Sequence, residues 1–467
     1  MKLLSHTLII ISCLLILWSC NQKKADSKPN IIYILADDLG YGDLGVYGSE
    51  KILTPTLDKM AAEGMRFTNH YAGTAVCAPS RCSLMTGKTM GHSQIRGNWE
   101  VEPYGQIPLN PGTTTIATLL KSAGYNTGII GKWGLGVEEN KSDPLDNGFD
   151  YFYGFLCQVL AHNHCPEFIM ENREKVFLDN RAKWTDSTHW TRGRGSYTEE
   201  CNQFSQDLFT KKALNFIEEN KEDPFFLYLP VIIPHNNGEA PPGKRMSDIP
   251  SFEPYQDSSW NETEKGYAAM ITYLDHEVGK IFDKLLELDL DENTIVIFTS
   301  DNGGLPYDLF KCNGPLKGRK GQLYEGGIRV PMIARWPGII KPGKVSDHQS
   351  AFWDMLPTFC ELAGIGAPED TDGISMVPEL TGKPQNAHSA LYFELYNPEG
   401  WQAVIQDGWK CIRKNILKPE QTTVELYNLA EDISESNDLS QQFPQKVDDL
   451  LKLMEQSRTP QEGHFQF

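Results

Sequence analysis

Four short apolar runs, each followed at once by polar residues, constrain the fold of this chain most strongly. The runs are Ile31 to Ala36, Tyr125 to Ile130, Phe225 to Ile233 and Thr294 to Thr299. They are rich in Ile, Val, Leu and Phe and alternate with helical patterns, which is typical of strands buried on both faces of a parallel sheet. The sequence therefore predicts an α/β fold in which a large, mixed, mostly parallel sheet is flanked by helices.

The polar residues that follow these runs are the first candidates for a functional site. They are Asp37 and Asp38, Lys132, His235, and Asp301 with Asn302. In open α/β sheets, ligands bind outside the carboxyl ends of the strands. We therefore expect these side chains to converge on one site.

The pattern changes from about Ser389, where short runs separated by turn residues predict a small antiparallel sheet. These runs are Ala390 to Phe393, Trp401 to Gln406, Trp409 to Arg413 and Glu425 to Tyr427. A helix follows, and its apolar face is formed by Val447, Leu450, Leu451 and Met454. The sequence thus predicts a main domain at 30–388 and a C-terminal α+β subdomain at 389–467.

Residues 1–20 resemble a bacterial lipoprotein signal, with a lysine near the start, a short apolar run and a cysteine at the end. The pattern predicts cleavage before Cys20 and lipidation of its thiol, with 21–29 as a polar tether. A membrane-spanning anchor is the alternative, but the apolar run is short for a span. We expect export to the periplasm or cell envelope, with the N-terminal lipid as the membrane attachment.

Charge and cysteine content exclude several classes of function. The net charge of -19 argues against binding to nucleic acid, and an anionic substrate would need a local cationic pocket. Of ten cysteines, Cys13 and Cys20 belong to the leader, and Cys77 has an unusual context. The remaining seven, at 82, 157, 165, 201, 312, 360 and 411, form neither a disulfide framework nor a CxxC zinc motif. We expect most of them to be small buried apolar residues.

The stretch CAPSRCSLMTG, from Cys77, resembles the signature of the type I sulfatases of the alkaline phosphatase superfamily. In that signature, Cys or Ser followed by any residue, Pro, Ser and Arg marks a side chain that is oxidised to formylglycine. Further blocks follow the family's order: ADDLGYGDLG, GKW, PHNN, SDNGG and RKGQLYEGGIRVP. The resemblance covers nearly all of the mature chain and is greatest to the branch of arylsulfatase A and the N-acetylgalactosamine sulfatases.

The resemblance implies that Cys77 is the precursor of the nucleophile, converted by a separate formylglycine-generating enzyme. Carboxylates at a site for an anion need a cation, and the implied ligands are Asp37, Asp38, residue 77, Asp301 and Asn302. All-oxygen ligands favour a hard ion, so calcium is expected, with magnesium as the second choice.

The resemblance also implies roles for other side chains. Arg81, Lys132 and Lys320 match positions that hold the aldehyde hydrate and the sulfate, and His235 matches the proton donor to the leaving oxygen. His92, Arg96 and His162 are the candidates for contact with the sugar, and structural packing is an equal alternative for them.

The chain departs from the family pattern at Gly134, where many members have a histidine that is implicated in releasing sulfate. His162 and His164 could replace it, contact the substrate or pack structurally, and the sequence leaves these three outcomes open.

The sequence therefore predicts hydrolysis of a sulfated carbohydrate, most specifically a galactose or N-acetylgalactosamine sulfate. A phosphodiesterase or phosphonate hydrolase of the same superfamily is the first alternative. An inactive glycan-binding lipoprotein is the second.

Overall fold

A ten-stranded sheet lies at the centre of the computed structural model, which describes residues 28–101, 105–137, 142–185, 195–244, 246, 248–305, 309–396 and 398–461. Its strands are β1 (Asn30–Ala36), β2 (Met65–Phe67), β3 (Asn126–Lys132), β4 (Tyr151–Phe155), β5 (Phe168–Glu171), β6 (Glu174–Phe177), β7 (Phe225–Pro230), β8 (Thr294–Ser300), β9 (Met332–Arg335) and β10 (Lys344–Ser346). The expected leader and tether, apart from residues 28 and 29, lie outside the described residues.

The strand order is β10-β2-β9-β8-β1-β7-β3-β4-β5-β6. The central strands β8, β1, β7, β3 and β4 are mutually parallel, whereas β9 and β5 run antiparallel to their neighbours β8 and β4. Four of the five central strands are the predicted apolar runs. The predicted mixed, mostly parallel sheet is therefore confirmed, although the third run leaves the sheet after Pro230.

Helices cover both faces of this sheet. In chain order, the described helices are α1 (Pro55–Glu63), α2 (Cys77–Thr86), α3 (Ile116–Ser122), α4 (Ser205–Glu219), α5 (Glu262–Glu287), α6 (Glu325–Ile328), α7 (Met355–Leu362), α8 (Val377–Leu380) and α9 (Pro444–Gln456), of which α9 packs on the C-terminal part of the chain instead. Adjacent residues of β7 show the two faces, since Phe225 packs on Phe216 of α4 and Phe226 packs on Phe359 of α7. Successive side chains of a strand point to opposite sides, so α4 and α7 lie on opposite faces.

The C-terminal part forms a four-stranded antiparallel sheet, as predicted. Its strands, in order, are β11 (Leu391–Leu395), β12 (Trp401–Gln406), β13 (Trp409–Lys414) and β14 (Thr423–Asn428). Phe393 and Ile412 on one face pack with Trp353 of the main domain, whereas Tyr392 on the other face packs with Leu450 of α9. This sheet is therefore enclosed between the main domain and α9. The exact boundary at residue 389 stays a prediction.

Three two-stranded pairs complete the described strands. They are His70–Tyr71 with Ser350–Ala351, Glu100–Val101 with Gly105–Gln106, and Asn180–Trp184 with Ser196–Cys201. No helix in the described part of the chain has both the length and the apolar character that a membrane crossing requires.

A buried charge cluster joins the C-terminal sheet to the main domain. The ammonium group of Lys410, on β13, lies 2.8 Å from Glu325 Oε1 and 2.9 Å from Glu435 Oε1. All three side chains are fully buried, and Glu435 also accepts a hydrogen bond from the backbone N–H of Glu325. Glu325 begins α6, which follows the segment that carries Lys320. The cluster thus connects the subdomain to a loop of the candidate site.

Replacing the cation of this cluster should destabilise the protein strongly. Lys410→Met leaves the buried Glu435 carboxylate without its cation and Glu325 with Arg329 alone, so we expect the free energy of unfolding to fall by about 3–5 kcal/mol in urea titrations. Lys418→Met is the matched control, because Lys418 and Glu399 form an exposed pair; this variant should lose less than about 1 kcal/mol. Equal losses in the two variants would contradict this account of the interface.

Candidate active site

The carboxyl ends of four parallel strands bring the predicted polar residues together. Asp37 and Asp38 follow β1, Lys132 ends β3, and Asp301 follows β8. Two backbone hydrogen bonds hold the strand ends in place, from Asp37 N–H to the Ile233 carbonyl (3.3 Å) and from Asp301 N–H to the Ala36 carbonyl (3.0 Å). The convergence expected from the sheet rule is therefore observed.

Asp38 is held in a backbone conformation that non-glycine residues seldom adopt, with φ of 65°. Its N–H donates to Asp301 Oδ1 at 3.2 Å, and its own Oδ1 accepts from Asn302 Nδ2 at 2.8 Å. These two contacts tie the end of β1 to the end of β8. They fix three of the candidate metal ligands relative to one another.

The signature stretch forms α2, which begins at Cys77. Two N–H groups of Arg81 donate to Asp301 Oδ2, at 3.0 and 2.8 Å, and a third donates to the Lys132 carbonyl at 2.8 Å. The Ser80 hydroxyl donates to the Asp301 carbonyl at 2.6 Å. The adjacent Ser and Arg of the signature therefore attach this helix to β8, with Cys77 facing the carboxylates.

Two lysines bind the paired aspartates. Lys132 Nζ donates to Asp37 Oδ2 at 2.6 Å, and Lys320 Nζ donates to Asp38 Oδ2 at 2.8 Å. Burial opposes ionisation of Asp37, but Lys132 and its cationic neighbours hold the pKa of Asp37 well below its usual range. Burial likewise opposes the charge on Lys320, yet the Asp38 carboxylate raises the pKa of Lys320. Both contacts are therefore ion pairs.

His235 lies between Lys320 and the backbone. Its Nδ1 is 2.7 Å from the Asn236 carbonyl oxygen, which can only accept, so Nδ1 carries a proton. Its Nε2 is 3.0 Å from Lys320 Nζ, which can only donate, so Nε2 is the acceptor in the neutral ring. Burial, together with the charge of Lys320, lowers the pKa of His235 well below its usual value. A hydrogen-bonded chain thus runs from Asp38 through Lys320 to His235.

The acidic cluster fits a cation. Ligand atoms of Asp37, Asp38, Cys77 and His235 lie within 4.8 Å of one another. In addition, Asp37 Oδ1 and Asn302 Oδ1 are buried and make no hydrogen bond within the described residues. Buried acceptors without partners are costly, and oxygen atoms of this kind are the ligands of hard divalent ions.

An unmodified Cys77 is poorly suited to act as a nucleophile. Its side chain is 2% exposed, and burial raises the pKa of the thiol to about 11 in spite of Lys132 and Lys320 nearby. The thiol is therefore protonated at neutral pH, whereas thiolates are the reactive form.

A cavity of about 210 Å³ opens beside this cluster. It is lined by Asp38, Cys77, Asn98, Glu100, Gln158, Val159, His162, His235, Asn236, Gly238 and Lys320. The nucleophile position, the Lys320–His235 pair and Asp38 therefore face one space that a small ester could enter.

His162 and His164 differ in position. His162 lines the cavity and stacks on His235, with ring centroids 4.3 Å apart and Nδ1 3.0 Å from Glu239 Oε2. His164 is not among the described lining residues, and it packs edge-on against Phe204. Burial lowers the pKa of His164 to about 4, so its ring is neutral. Of the outcomes left open by the sequence, packing describes His164, and His162 is placed where it can contact a substrate.

Gln158 occupies the space beside Gly134. A Cβ atom at position 134 would lie 3.0 Å from Gln158 Nε2, and Gly134 has a φ of 73°, which favours glycine. The departure from the family pattern at Gly134 is therefore accompanied by a glutamine side chain that reaches the same region.

His92 and Arg96 are not among the described residues that line the cavity, and their contact with a sugar stays a prediction. His92 is partly exposed and binds Asp372, with Nδ1 2.9 Å from Oδ1. Arg96 is buried, donates to the Gly91 and Ser93 carbonyls and lies 3.6 Å from Glu394. Both side chains hold loops to other parts of the fold. The spacing of residues in the sequence does not show these partners.

A disulfide between Cys165 and Cys201 corrects the expectation for the cysteines. It joins the segment after His164 to the strand Ser196–Cys201 and so supports the loop that carries His162. Cys77, Cys82, Cys157, Cys312, Cys360 and Cys411 are buried thiols outside this disulfide, as predicted for most cysteines of the body.

Sequence reasoning missed several cavity residues, chiefly Asn98, Glu100, Gln158 and Asn236. Asn98 and Glu100 lie in RGNWE, directly after Arg96, and Asn236 follows His235 in PHNN. The position of Asn236 in the block PHNN was a usable signal, whereas RGNWE is not among the blocks that carry the resemblance. Gln158 lies in no block, and only its contact with Gly134 reveals it.

The sheet, the acidic cluster at its carboxyl ends and the small C-terminal sheet define a hydrolase of the alkaline phosphatase superfamily. A family model described as Sulfatase matches residues 29–365, and one described as N-sulphoglucosamine sulphohydrolase, C-terminal, matches residues 319–460. The chain belongs to the sulfatase family and is a sulfuric ester hydrolase.

Characterised relatives agree with this assignment. The chain is 30% identical to an N-acetylgalactosamine-6-O-sulfatase of Bacteroides thetaiotaomicron, over 98% of this chain and 100% of that one. It is 32% identical to the N-acetylgalactosamine-6-sulfatase of Canis lupus familiaris, over 79% and 69% of the two chains. The crystal structure of Ps i-CgsB in complex with k-i-k-neocarrahexaose superposes with a TM-score of 0.75 and 30% identity, over 92% of each chain.

Proposed function

We propose that the protein removes sulfate from a galactose or N-acetylgalactosamine sulfate ester within a glycan. The observation that carries the reaction is the convergence of Arg81, Lys132 and Lys320 on Cys77 beside a carboxylate cluster with unpartnered oxygens. The sugar is supported by the two N-acetylgalactosamine sulfatases among its relatives and by the k-i-k-neocarrahexaose ligand of a similar structure.

The nucleophile is proposed to be formylglycine, made from Cys77 by a maturation enzyme. An alkoxide or thiolate that accepted the sulfuryl group would leave a stable ester for water to attack. The aldehyde hydrate supplies one hydroxyl that attacks sulfur and a second whose loss of a proton releases sulfate and restores the carbonyl. The buried, protonated thiol of Cys77 is consistent with a precursor rather than a reactive group.

A calcium ion is proposed among Asp37, Asp38, Asp301 and Asn302, with magnesium as the alternative. When bound, the ion supplies Lewis-acid polarisation of oxygen atoms on sulfur. The chain's own cations then act on the same group: Arg81 and Lys132 border residue 77, and their charges stabilise the negative charge that develops on the transferring sulfuryl oxygens.

His235 and Lys320 are proposed to deliver the proton to the departing sugar oxygen. A sugar alkoxide is a poor leaving group, so its protonation lowers the barrier. Lys320 Nζ donates toward His235 Nε2 at 3.0 Å, and both groups line the cavity. Because Nε2 of the neutral His235 ring carries no proton, the Lys320 ammonium is the proton source of this pair, and Asp38 keeps Lys320 in position.

Export and lipidation at Cys20 are also proposed, on the strength of the N-terminal pattern. A body held at the cell envelope would meet extracellular sulfated glycans. The sequence of residues 1–20 is the support for this placement.

Purified active protein should contain formylglycine at position 77. We expect peptide mass spectrometry over residues 77–81 to show that sulfur has been lost from residue 77. Cys77→Ala should abolish turnover, because no hydroxyl remains to attack sulfur. Its thermal unfolding midpoint should stay near that of the protein without the substitution. Cys360→Ala, which changes a buried free cysteine outside the cavity, is the control and should keep activity. Full turnover by Cys77→Ala would refute the mechanism.

Chelation should remove both activity and stability. At a calcium concentration of about 100 times Kd, bound ion adds about 2.7 kcal/mol to the free energy of unfolding, and the chelated protein should lose that amount. Asp37→Asn keeps the side-chain shape but removes a charge, so calorimetry should show affinity weakened at least about 10-fold. Asp370→Asn, on an exposed carboxylate, is the control. Unchanged activity and stability in metal-free protein would exclude the ion.

A panel of esters tests the substrate and its alternatives. Ion chromatography should detect sulfate release from galactose or N-acetylgalactosamine sulfates at a kcat/KM at least about 10-fold above that for glucosamine or uronate sulfates, a factor that corresponds to about 1.4 kcal/mol in the transition state. If sulfate is released only from glucosamine or uronate sulfates, the proposed identity of the sugar is contradicted and the proposed sulfatase reaction still stands. Phosphate release from a diester without any sulfate release would support the phosphohydrolase alternative, and no release at all would support the glycan-binding one.

A further inference from the structure

Five residues outside the central sheet form one part of the cavity lining. They are Asn98, Glu100, Gln158, Val159 and His162, and we call them the loop wall. Asn98 Oδ1 accepts from the Ala78 N–H at 3.2 Å, which places the loop wall next to the nucleophile position at residue 77. A group bonded to the transferring sulfate must therefore lie against it.

Two polar side chains of the loop wall are largely buried and face the cavity. Gln158 is 3% exposed, and its Nε2 is buried without an acceptor within the described residues. Glu100 is 6% exposed and lines the same cavity. Buried polar groups are almost always hydrogen-bonded, so exceptions in a cavity indicate positions that a ligand completes. The pair offers one acceptor and one donor.

The loop wall carries negative charge. Glu100 is a carboxylate, and His162 lies against the carboxylate of Glu239 at 3.0 Å. Among the described residues that line the cavity, Lys320 is the only lysine or arginine, and it already binds Asp38. A second negative group on the substrate would thus face Glu100 without a cation of the loop wall to offset it.

We propose that Glu100 and Gln158 bind uncharged polar groups of the sugar that carries the scissile sulfate, and that Glu100 excludes sugars with a second anionic group on that ring. Gln158 Nε2 donates to a hydroxyl or acetamido oxygen, and Glu100 accepts from a hydroxyl or amide N–H. This inference rests on the proposed function. It adds a rule of selection: one sulfate on the ring, and no carboxylate.

The test compares sugars that differ by one sulfate. The probes are N-acetylgalactosamine 4-sulfate, its 6-sulfate and its 4,6-disulfate, with an aryl sulfate as a substrate without a sugar. The enzyme without substitutions should show a kcat/KM for the better monosulfate about 100-fold above that for the disulfate, as expected when like charges meet in a buried site. Glu100→Gln should reduce this ratio about 10-fold, because the amide keeps the shape and loses the charge.

A second variant shifts the ratio in the opposite direction. Gln158→Glu adds a carboxylate to the loop wall and should widen the preference for the monosulfate, and it keeps the test informative if Glu100→Gln folds poorly. Glu361→Gln, on an exposed residue of α7, is the charge control and should leave the ratio unchanged.

The outcomes separate this inference from the proposed function. If the ratio of kcat/KM for the monosulfate to kcat/KM for the disulfate is unchanged in both Glu100→Gln and Gln158→Glu, the selection rule is overturned. A preference for the disulfate in the enzyme without substitutions would also overturn it. Hydrolysis of the aryl sulfate without hydrolysis of any of the three sugars would overturn the loop wall as a site for this sugar and leave the sulfatase reaction standing. No sulfate release from any probe would instead contradict the proposed function.

Discussion

The ion pair between Arg81 and Asp301 is the contact on which the active site depends. Both side chains are fully buried, and two guanidinium N–H groups meet one carboxylate oxygen. The pair joins the helix that presents Cys77 to the end of β8, while the other oxygen of Asp301 accepts from the Asp38 N–H. Loss of either partner would leave a buried charge uncompensated, which is far more costly than the loss of an exposed pair. The nucleophile and the acidic cluster are thus positioned by the same interaction.

The charges around residue 77 are arranged for an anion and a cation together. The carboxylates of Asp37, Asp38 and Asp301 each face one of the cations Lys132, Lys320 and Arg81. Such a cluster has a net charge close to zero. Binding of a sulfate ester alone would make the net charge negative, and binding of a divalent ion alone would make it positive. Bound together, the ion would offset the negative charge of the ester and satisfy the free oxygens of Asp37 and Asn302. The affinity for substrate should therefore depend on the metal.

The sequence was informative where the backbone dictates position. A parallel strand carries its carboxyl end to a known edge, so Asp37, Lys132 and Asp301 could be brought together from apolar runs alone. The C-terminal sheet followed from alternation in the same way. Residues away from the central sheet obey no such rule: Glu100 and Gln158 line the cavity without following one of its strands, and Arg96, a candidate for sugar contact, binds backbone carbonyls. Spacing also could not show that Cys165 and Cys201 meet, because pairing depends on distance in the fold.

Gly134 and Gln158 show how the chemistry and the recognition of substrate are coupled. The backbone at 134 has a left-handed conformation that disfavours any side chain, and a Cβ there would press on the Gln158 amide. A histidine at 134 and a glutamine that fills the adjacent space are therefore alternative solutions for one volume. His162 lies on the cavity, stacked against His235 and beside Glu239. Because His162 belongs to the loop wall and stacks on His235, a change in which sugar is bound would also alter the surroundings of His235, the residue that the proposed function places beside the leaving oxygen.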